Sequence, residues 1–267
     1  MIYFCPTPIG NMGDITLRTL EVLNKVDYIF AEDTRVTLKL LNHYDIHKKL
    51  ESYHKFNERM ESSRILTLLK KGHDIALVTD AGMPGISDPG SILIEELIKA
   101  DMDFQVLPGA NAALTALVQS GLPTEHFYFY GFLPTKSGER KKALENLSQI
   151  RDTLIFYESP HRITRTVKEV LEVFGNRRAS ISRELTKLFE ECIRGSLEEL
   201  TKKEIITKGE FVLVVEGNLE EVEYDIAALL QKEINKGLTK SQAVKVVSST
   251  YDLPKNDVYK ESLKIHV

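Results

Sequence analysis

The chain has 267 residues, 42% of them hydrophobic and 28% charged, with a formal net charge of −4. Such a composition supports a sizeable buried core and excludes long disorder, and the mild acidity excludes a protein that holds polyanions by bulk charge. Cys5 and Cys192 form no CxxC pair, which excludes a disulfide framework and a cysteine-based metal site.

MIYFCPTPIG opens on a strand without the basic region of a signal peptide, and no apolar run reaches the roughly 18 residues of a membrane span, so a cytoplasmic protein without membrane contact is expected. Residues 2–5, 28–31, 75–79 and 104–107 are short apolar runs and are predicted as buried strands. Between them, 16–24, 37–44, 60–71 and 91–100 have helical periodicity; in 60–71, Ile65, Leu66, Leu68 and Leu69 share one face. This alternation predicts an α/β fold with a largely parallel sheet covered on both faces.

A second set follows Gly121-Leu122-Pro123-Thr124, with strands predicted at 127–131, 153–157, 179–182, 191–194 and 211–215 and helices at 138–149, 160–174 and 197–206. Several connections are short, which predicts a mixed sheet. The Gly and Pro cluster places a domain boundary at 121–125, giving domains over 1–121 and 122–222. From Asp225 the pattern is helical. Ile226, Leu229, Leu230 and Ile234 form one stripe, Thr239 or Ser241 caps the next helix with Val244 and Val247, and Leu253-Pro254 ends it. Residues 223–267 are predicted as a small appendage, either a helix-turn-helix or a plain helical bundle.

Three segments at strand ends are poor in large side chains. Cys5-Pro6-Thr7-Pro8-Ile9-Gly10-Asn11 reads as a rigid strand-to-helix turn or as a ligand contact. Residues 79–90, TDAGMPGISDPG, hold three glycines and two prolines and let a ligand lie against backbone, with Asp80 or Asp88 placed to accept hydrogen bonds. Leu107-Pro108-Gly109-Ala110-Asn111-Ala112-Ala113 opens a helix whose first amides can receive a polar group. There is no Walker A, GxGxxG, HExxH or GxSxG pattern, and His43 and His47, although spaced i, i+4, lie on a polar stretch; no metal is expected. Charged clusters end three further strands: Ala31-Glu32-Asp33-Thr34-Arg35, Tyr157-Glu158-Ser159-Pro160-His161-Arg162 and Arg183-Glu184-Leu185-Thr186-Lys187. In the second of these Ser159 suits a helix N-cap and Pro160 the first helical position. Lys136-Ser137-Gly138-Glu139-Arg140-Lys141-Lys142 reads either as a phosphate grip or as a solvated helix start.

In order, PTPIGNMGDITLRTLEVL, AEDTR, DAGMPGISDPG, LPGANAALTAL, SGLPT, GFLP, KSGERKK, TLIFYESPHRI, SRELTKLFEE and GEFVLVVEG resemble the tetrapyrrole methylase superfamily, and within it the branch of ribosomal-RNA cytidine 2′-O-methyltransferases. The likeness runs from about Ile2 to Gly217, with a weaker echo in the tail. It implies two α/β domains with S-adenosylmethionine folded between them, in a homodimer. By motif, Pro8, Asp80, Ala81, Gly82, Ile86, Asn111 and Ala112 would hold the cofactor, with Tyr157 and Leu185 closing from the second domain. Where the superfamily often has Gly-Asp-Pro, this chain has Gly82-Met83-Pro84, which matches the RNA branch and counts against a tetrapyrrole substrate.

The implied reaction is in-line methyl transfer to a ribose 2′-hydroxyl of 16S ribosomal RNA, in the decoding region and within the small subunit. A hydroxyl is a poor nucleophile, so a neighbouring acceptor must take its proton. Glu184, Glu158 and Glu32 are the candidates, in that order, with His161 and His54 behind them. Arg35, Lys136, Arg140, Lys141, Arg162, Arg183 and Lys187 are the candidate phosphate contacts. Two other readings stay open: a small-molecule methylase of tetrapyrrole type on the same fold, and a non-catalytic RNA-binding assembly module.

Overall fold

The computed structural model describes residues 1–219, 225–251 and 253–265. Met1–Asn218 forms one compact unit and Leu219–Val267 a second.

The first unit carries two five-stranded sheets. The first sheet comprises β1 (Ile2–Phe4), β2 (Tyr28–Ala31), β3 (Lys49–Ser52), β4 (Ile75–Val78) and β5 (Phe104–Val106), with α1 (Leu17–Lys25), α2 (Thr34–His43), α3 (Glu58–Lys70) and α4 (Ser91–Lys99) in its connections. Its order is β3-β2-β4-β1-β5 and every pairing is parallel. Alternation along the central strands divides the core. Ile75 and Leu77 join Ile2, Phe4, Ile65, Leu69, Leu93 and Leu97 on one face, while Ala76 and Val78 join Cys5, Leu23, Ile29, Leu41 and Leu107 on the other. Strand β3 was not anticipated. Its residues, KLES, are polar and it pairs on one side only, as an edge strand does.

After α5 (Ala112–Ser120) the second sheet contains β6 (Phe127–Phe132), β7 (Thr153–Glu158), β8 (Arg178–Arg183), β9 (Glu191–Ser196) and β10 (Phe211–Val215), with α6 (Ser137–Leu147), α7 (Ile163–Phe174) and α8 (Leu197–Lys202). The order is β6-β7-β10-β8-β9; β6 and β7 are parallel and the other pairings antiparallel, so the sheet is mixed as expected. Several helices differ in extent from expectation, among them α2, which starts at Thr34 and not at Thr37. Helix α8 stops at Lys202, short of the β-branched run Ile205-Ile206-Thr207. Helix α7 starts at Ile163, not at Pro160, because the Ser159 carbonyl accepts from both Arg162 and Ile163 N–H and forms a turn before the helix.

Helix α5 corrects the expected division of the chain. It packs on β7, β8, β9 and β10, and Ala113, Ala116 and Leu117 share a buried cluster with Ile155, Val212 and Val214. The changeover between sheets therefore falls before α5 and not at 121–125, where Gly121 serves as the left-handed end of the helix. Both sheets also belong to one compact unit.

In the second unit α9 (Ile226–Asn235), α10 (Lys240–Thr250) and α11 (Lys255–Lys264) enclose Leu230, Ala243, Val244, Val247 and Val258. Thr239 is the cap of α10 and forms a capping box with Gln242. The expected boundary at 222/223 lies outside the described residues. Among the described residues no helix is long and apolar enough to cross a membrane.

Candidate active site

All strands of the first sheet run the same way, so the segments after β1, β4 and β5 leave it at one edge, on adjacent strands in the order β4-β1-β5. Crevices at carboxyl edges of this kind are where open α/β sheets take ligands. Thr7 and Gly82 stitch the first two segments together by exchanging both backbone hydrogen bonds at 3.0 Å. Gly82 holds φ 81°, a conformation that a side chain would strain. The first segment also meets the second half of the unit. Asn11 N–H donates to Thr186 Oγ1 at 3.1 Å, and a Cβ on Gly10 would lie 2.9 Å from the Leu185 carbonyl oxygen. Glu184 and Thr186, in that partner loop, hold positive φ of 52° and 65°.

These segments enclose a cavity of about 270 Å³. Ile9, Ala81, Gly82 and Ile86 line one side, Asn111 and Ala112 at the start of α5 another, and Tyr157, Phe132 and Val212 of the second sheet a third. Asp88 reaches it as well, half-buried. Burial, with Glu32 and Asp80 nearby, pushes the Asp88 carboxyl up to about 7. Glu32 is also raised, by burial and then by Asp80, and Asp80 is raised by partial desolvation although its side chain keeps solvent access.

A second cavity of about 230 Å³ shares Ile9, Ala81 and Glu210 with the first. Its remaining wall is Thr7, Pro8, Gly10, Met12, Val36, Thr37, Leu40, Thr79 and Asp80.

A family model described as Tetrapyrrole (Corrin/Porphyrin) Methylases matches residues 1–201. The chain belongs to the tetrapyrrole methylase family. Among curated proteins the methylase is 48% identical over 268 residues to "Ribosomal RNA small subunit methyltransferase I" of Halalkalibacterium halodurans, covering 97% of this chain and 93% of the relative. It is 44% identical over 270 residues to the protein of the same name in Bacillus subtilis, covering 97% and 92%. Solved structures of similar fold include the methyltransferase CobJ, with a TM-score of 0.61 and 19% identity over 83% of this chain and 96% of that one. Another is uroporphyrin-III-C-methyltransferase from Thermus thermophilus, with a TM-score of 0.56 and 20% identity over 80% and 91%.

The residues expected to hold a cofactor are distributed over both cavities of the methylase. Ala81, Gly82, Ile86, Asn111, Ala112 and Tyr157 line the first, Pro8 and Asp80 line the second, and Leu185 is buried in the cluster behind Tyr157. The three candidate bases differ sharply. Glu158 lines the first cavity, but its carboxylate accepts from Thr166 Oγ1 at 2.6 Å and Ser159 N–H at 2.8 Å and pairs with Arg162 at 3.3 Å. It is a structural anchor with little capacity left. Burial pushes Glu184 up, but Lys187, the Glu210 amide and Arg183 together hold it below the usual range, which makes it a weak base. Neither Glu184 nor Glu32 is part of the cavity lining. Asp88, which sequence reasoning left as one of two hydrogen-bond acceptors, lines the first cavity with its carboxyl poised near neutrality.

Of the candidate phosphate contacts, Arg35 is exposed and leans on Asp33, and Lys136 and Lys141 are exposed on or beside α6. Arg140 is corrected: it is 3% exposed, ion-paired to Glu169 and donates to the carbonyls of Pro134 and Thr135, so it serves the fold. Arg162 and Arg183 are largely buried in ion pairs with Glu158 and Glu191, and Lys187 is bound to Glu184 and Glu210. His161 is exposed, and the ring of His54 accepts from Phe56 N–H; His43 packs edge-on against Tyr44 while His47 pairs with Asp45.

Proposed function

We propose that this methylase transfers a methyl group from S-adenosylmethionine to the ribose 2′-hydroxyl of a cytidine in the decoding region of 16S ribosomal RNA, on the small subunit. The observation that carries the reading is the pair of adjoining cavities, one combining small residues with aromatic faces and the other with its own polar groups. Relatives named for small-subunit RNA, matched over nearly the full length, support the RNA substrate.

The first cavity fits the cofactor. Its walls at Ala81, Gly82 and Ala112 are small, and Tyr157 and Phe132 supply aromatic faces, which suits a ligand carrying a sulfonium. When bound, the cofactor supplies an electrophilic methyl group. The chain's own work is to align the acceptor oxygen and to take its proton, and Asp88 is the residue placed and tuned for the second task. Lys136, Lys141 and Arg35 are the proposed phosphate contacts.

A homodimer in the cytoplasm completes the proposal. Leu114 and Val118 on α5 and Leu188 and Phe189 beside it are exposed, and Gln119 bonds Glu190 across the same region, so a second copy is the proposed cover. Mass mapping of ribosomal RNA from cells lacking the protein tests the substrate. The expected result is one cytidine in the small-subunit RNA lighter by one methyl group. An unchanged RNA, together with methyl transfer to a uroporphyrin-type acceptor, would replace this reading with the small-molecule one.

A further inference from the structure

Two threonines that line the second cavity carry buried hydroxyls without a partner among the described residues. Thr37 and Thr79 are 2% and 1% exposed, both line the cavity, and neither Oγ1 has a hydrogen-bond partner among the described residues. A threonine in a helix ordinarily satisfies its hydroxyl on a carbonyl of the preceding turn, but Thr37 in α2 does not. Thr7, in the same wall, donates its own hydroxyl to the Thr79 carbonyl. Native interiors leave few such groups unmatched, and those that remain call for a ligand or a water.

We infer that the second cavity receives the base of the acceptor nucleotide, turned out of its strand, and reads an exocyclic amino group there through Asp80, Thr37 and Thr79. The inference rests on the function proposed above. Pro8, Ile9, Met12, Val36 and Leu40 give the cavity apolar walls suited to the two faces of a flat ring. Its charged residues, Asp80 and Glu210, are both acids, which disfavours a phosphate and favours a ligand edge carrying N–H donors. One Asp80 oxygen accepts the Asp33 N–H at 2.9 Å, and the other, without a hydrogen bond among the described residues, remains for an amino group. The hydroxyls can donate to the ring nitrogen and carbonyl beside that amine. Because the cavities share Ile9, Ala81 and Glu210, a base in the second brings its ribose to the wall of the first.

The test compares wild type with T37V/T79V, T37S/T79S and D80N by thermal melting, by calorimetric binding of S-adenosylmethionine, and by methyl transfer to small subunits bearing either cytidine or uridine at the target. Valine keeps the shape of threonine and removes only an unpaired group, so T37V/T79V is expected to melt no lower than wild type. It is expected to keep cofactor affinity within about twofold and to lose about tenfold or more in kcat/KM on cytidine subunits, with T37S/T79S retaining most of the rate. D80N, which exchanges an acceptor for a donor, is expected to gain on uridine subunits relative to cytidine ones. Cofactor affinity that falls together with kcat/KM in T37V/T79V would assign the cavity to the cofactor and overturn the inference. An unchanged kcat/KM, or an unchanged base preference in D80N, would overturn it as well. Wild-type protein that methylates neither kind of subunit would instead remove the proposed function beneath it.

Discussion

Asp88 shows how the surroundings of one carboxyl change its acidity. Alone it titrates near 4, but burial with Glu32 and Asp80 nearby raises it to about 7. A base of that strength is half ionised at neutral pH and still draws a proton from a hydroxyl as attack proceeds. D88N is therefore expected to bind S-adenosylmethionine and lose at least about 100-fold in methyl transfer, the scale of a general base. In wild type, kcat/KM for the cofactor should rise through pH 6–8 and level off, and E32Q, by removing a neighbouring negative charge, should move the midpoint to lower pH. A D88N enzyme with near-normal turnover would end this assignment. The same shift has a consequence for stability. The folded form of Asp88 holds its proton more tightly than the unfolded chain, so the contribution of this group falls as pH rises from about 4 through 7. Melting of cofactor-free protein between pH 5 and 8 should show D88N losing less stability than wild type.

At the scale of the element, the site depends on loops held against one another. A Cβ on Gly10 would lie 2.4 Å from Lys187 Cγ and 2.9 Å from the Leu185 carbonyl oxygen, and the backbone oxygen cannot swing aside. G10A is expected to push the first loop off the 184–187 loop. A displacement near 1 Å costs up to about 100-fold in rate, and melting should change little by comparison. Glu158 acts differently. It ends β7, accepts from Thr166 in α7 and pairs with Arg162, so it ties that strand to the helix behind it. E158A should cost about 3 kcal/mol, a fall in Tm of roughly 6–12 °C for a unit of this size, measured by calorimetry.

Across the whole molecule, a net charge of −4 must coexist with the proposed RNA substrate. Bulk attraction cannot supply the affinity, so the exposed lysines beside and on α6 carry the electrostatic contact in the proposed complex. K136Q/K141Q is expected to lower the slope of log affinity against log salt for small-subunit RNA by about 1.4, the contribution of two single-strand phosphate contacts, with cofactor binding unchanged. An unchanged slope would place the phosphate contacts elsewhere.

The elements with a strong apolar period were legible in the sequence. Ile75–Val78 and Phe211–Val215 are uninterrupted apolar runs and became central strands, and the side-chain-poor turns after β1, β4 and β5 became walls of the two cavities. These features are local, since burial on both faces demands such runs and tight turns demand small residues. Other features were decided only in three dimensions. Lys49–Ser52 became a strand because Tyr28–Ala31 offered it an edge, and α5 joined the second sheet because Ile155, Val212 and Val214 present the complementary apolar face. The ranking of carboxylates changed for the same reason: Glu184 meets Lys187, Glu158 meets Thr166 and Arg162, and Asp88 meets burial and two other acids. Which acid keeps its proton depends on neighbours far away along the chain, and so do the unmatched hydroxyls of Thr37 and Thr79, which only the packed fold brings to one cavity.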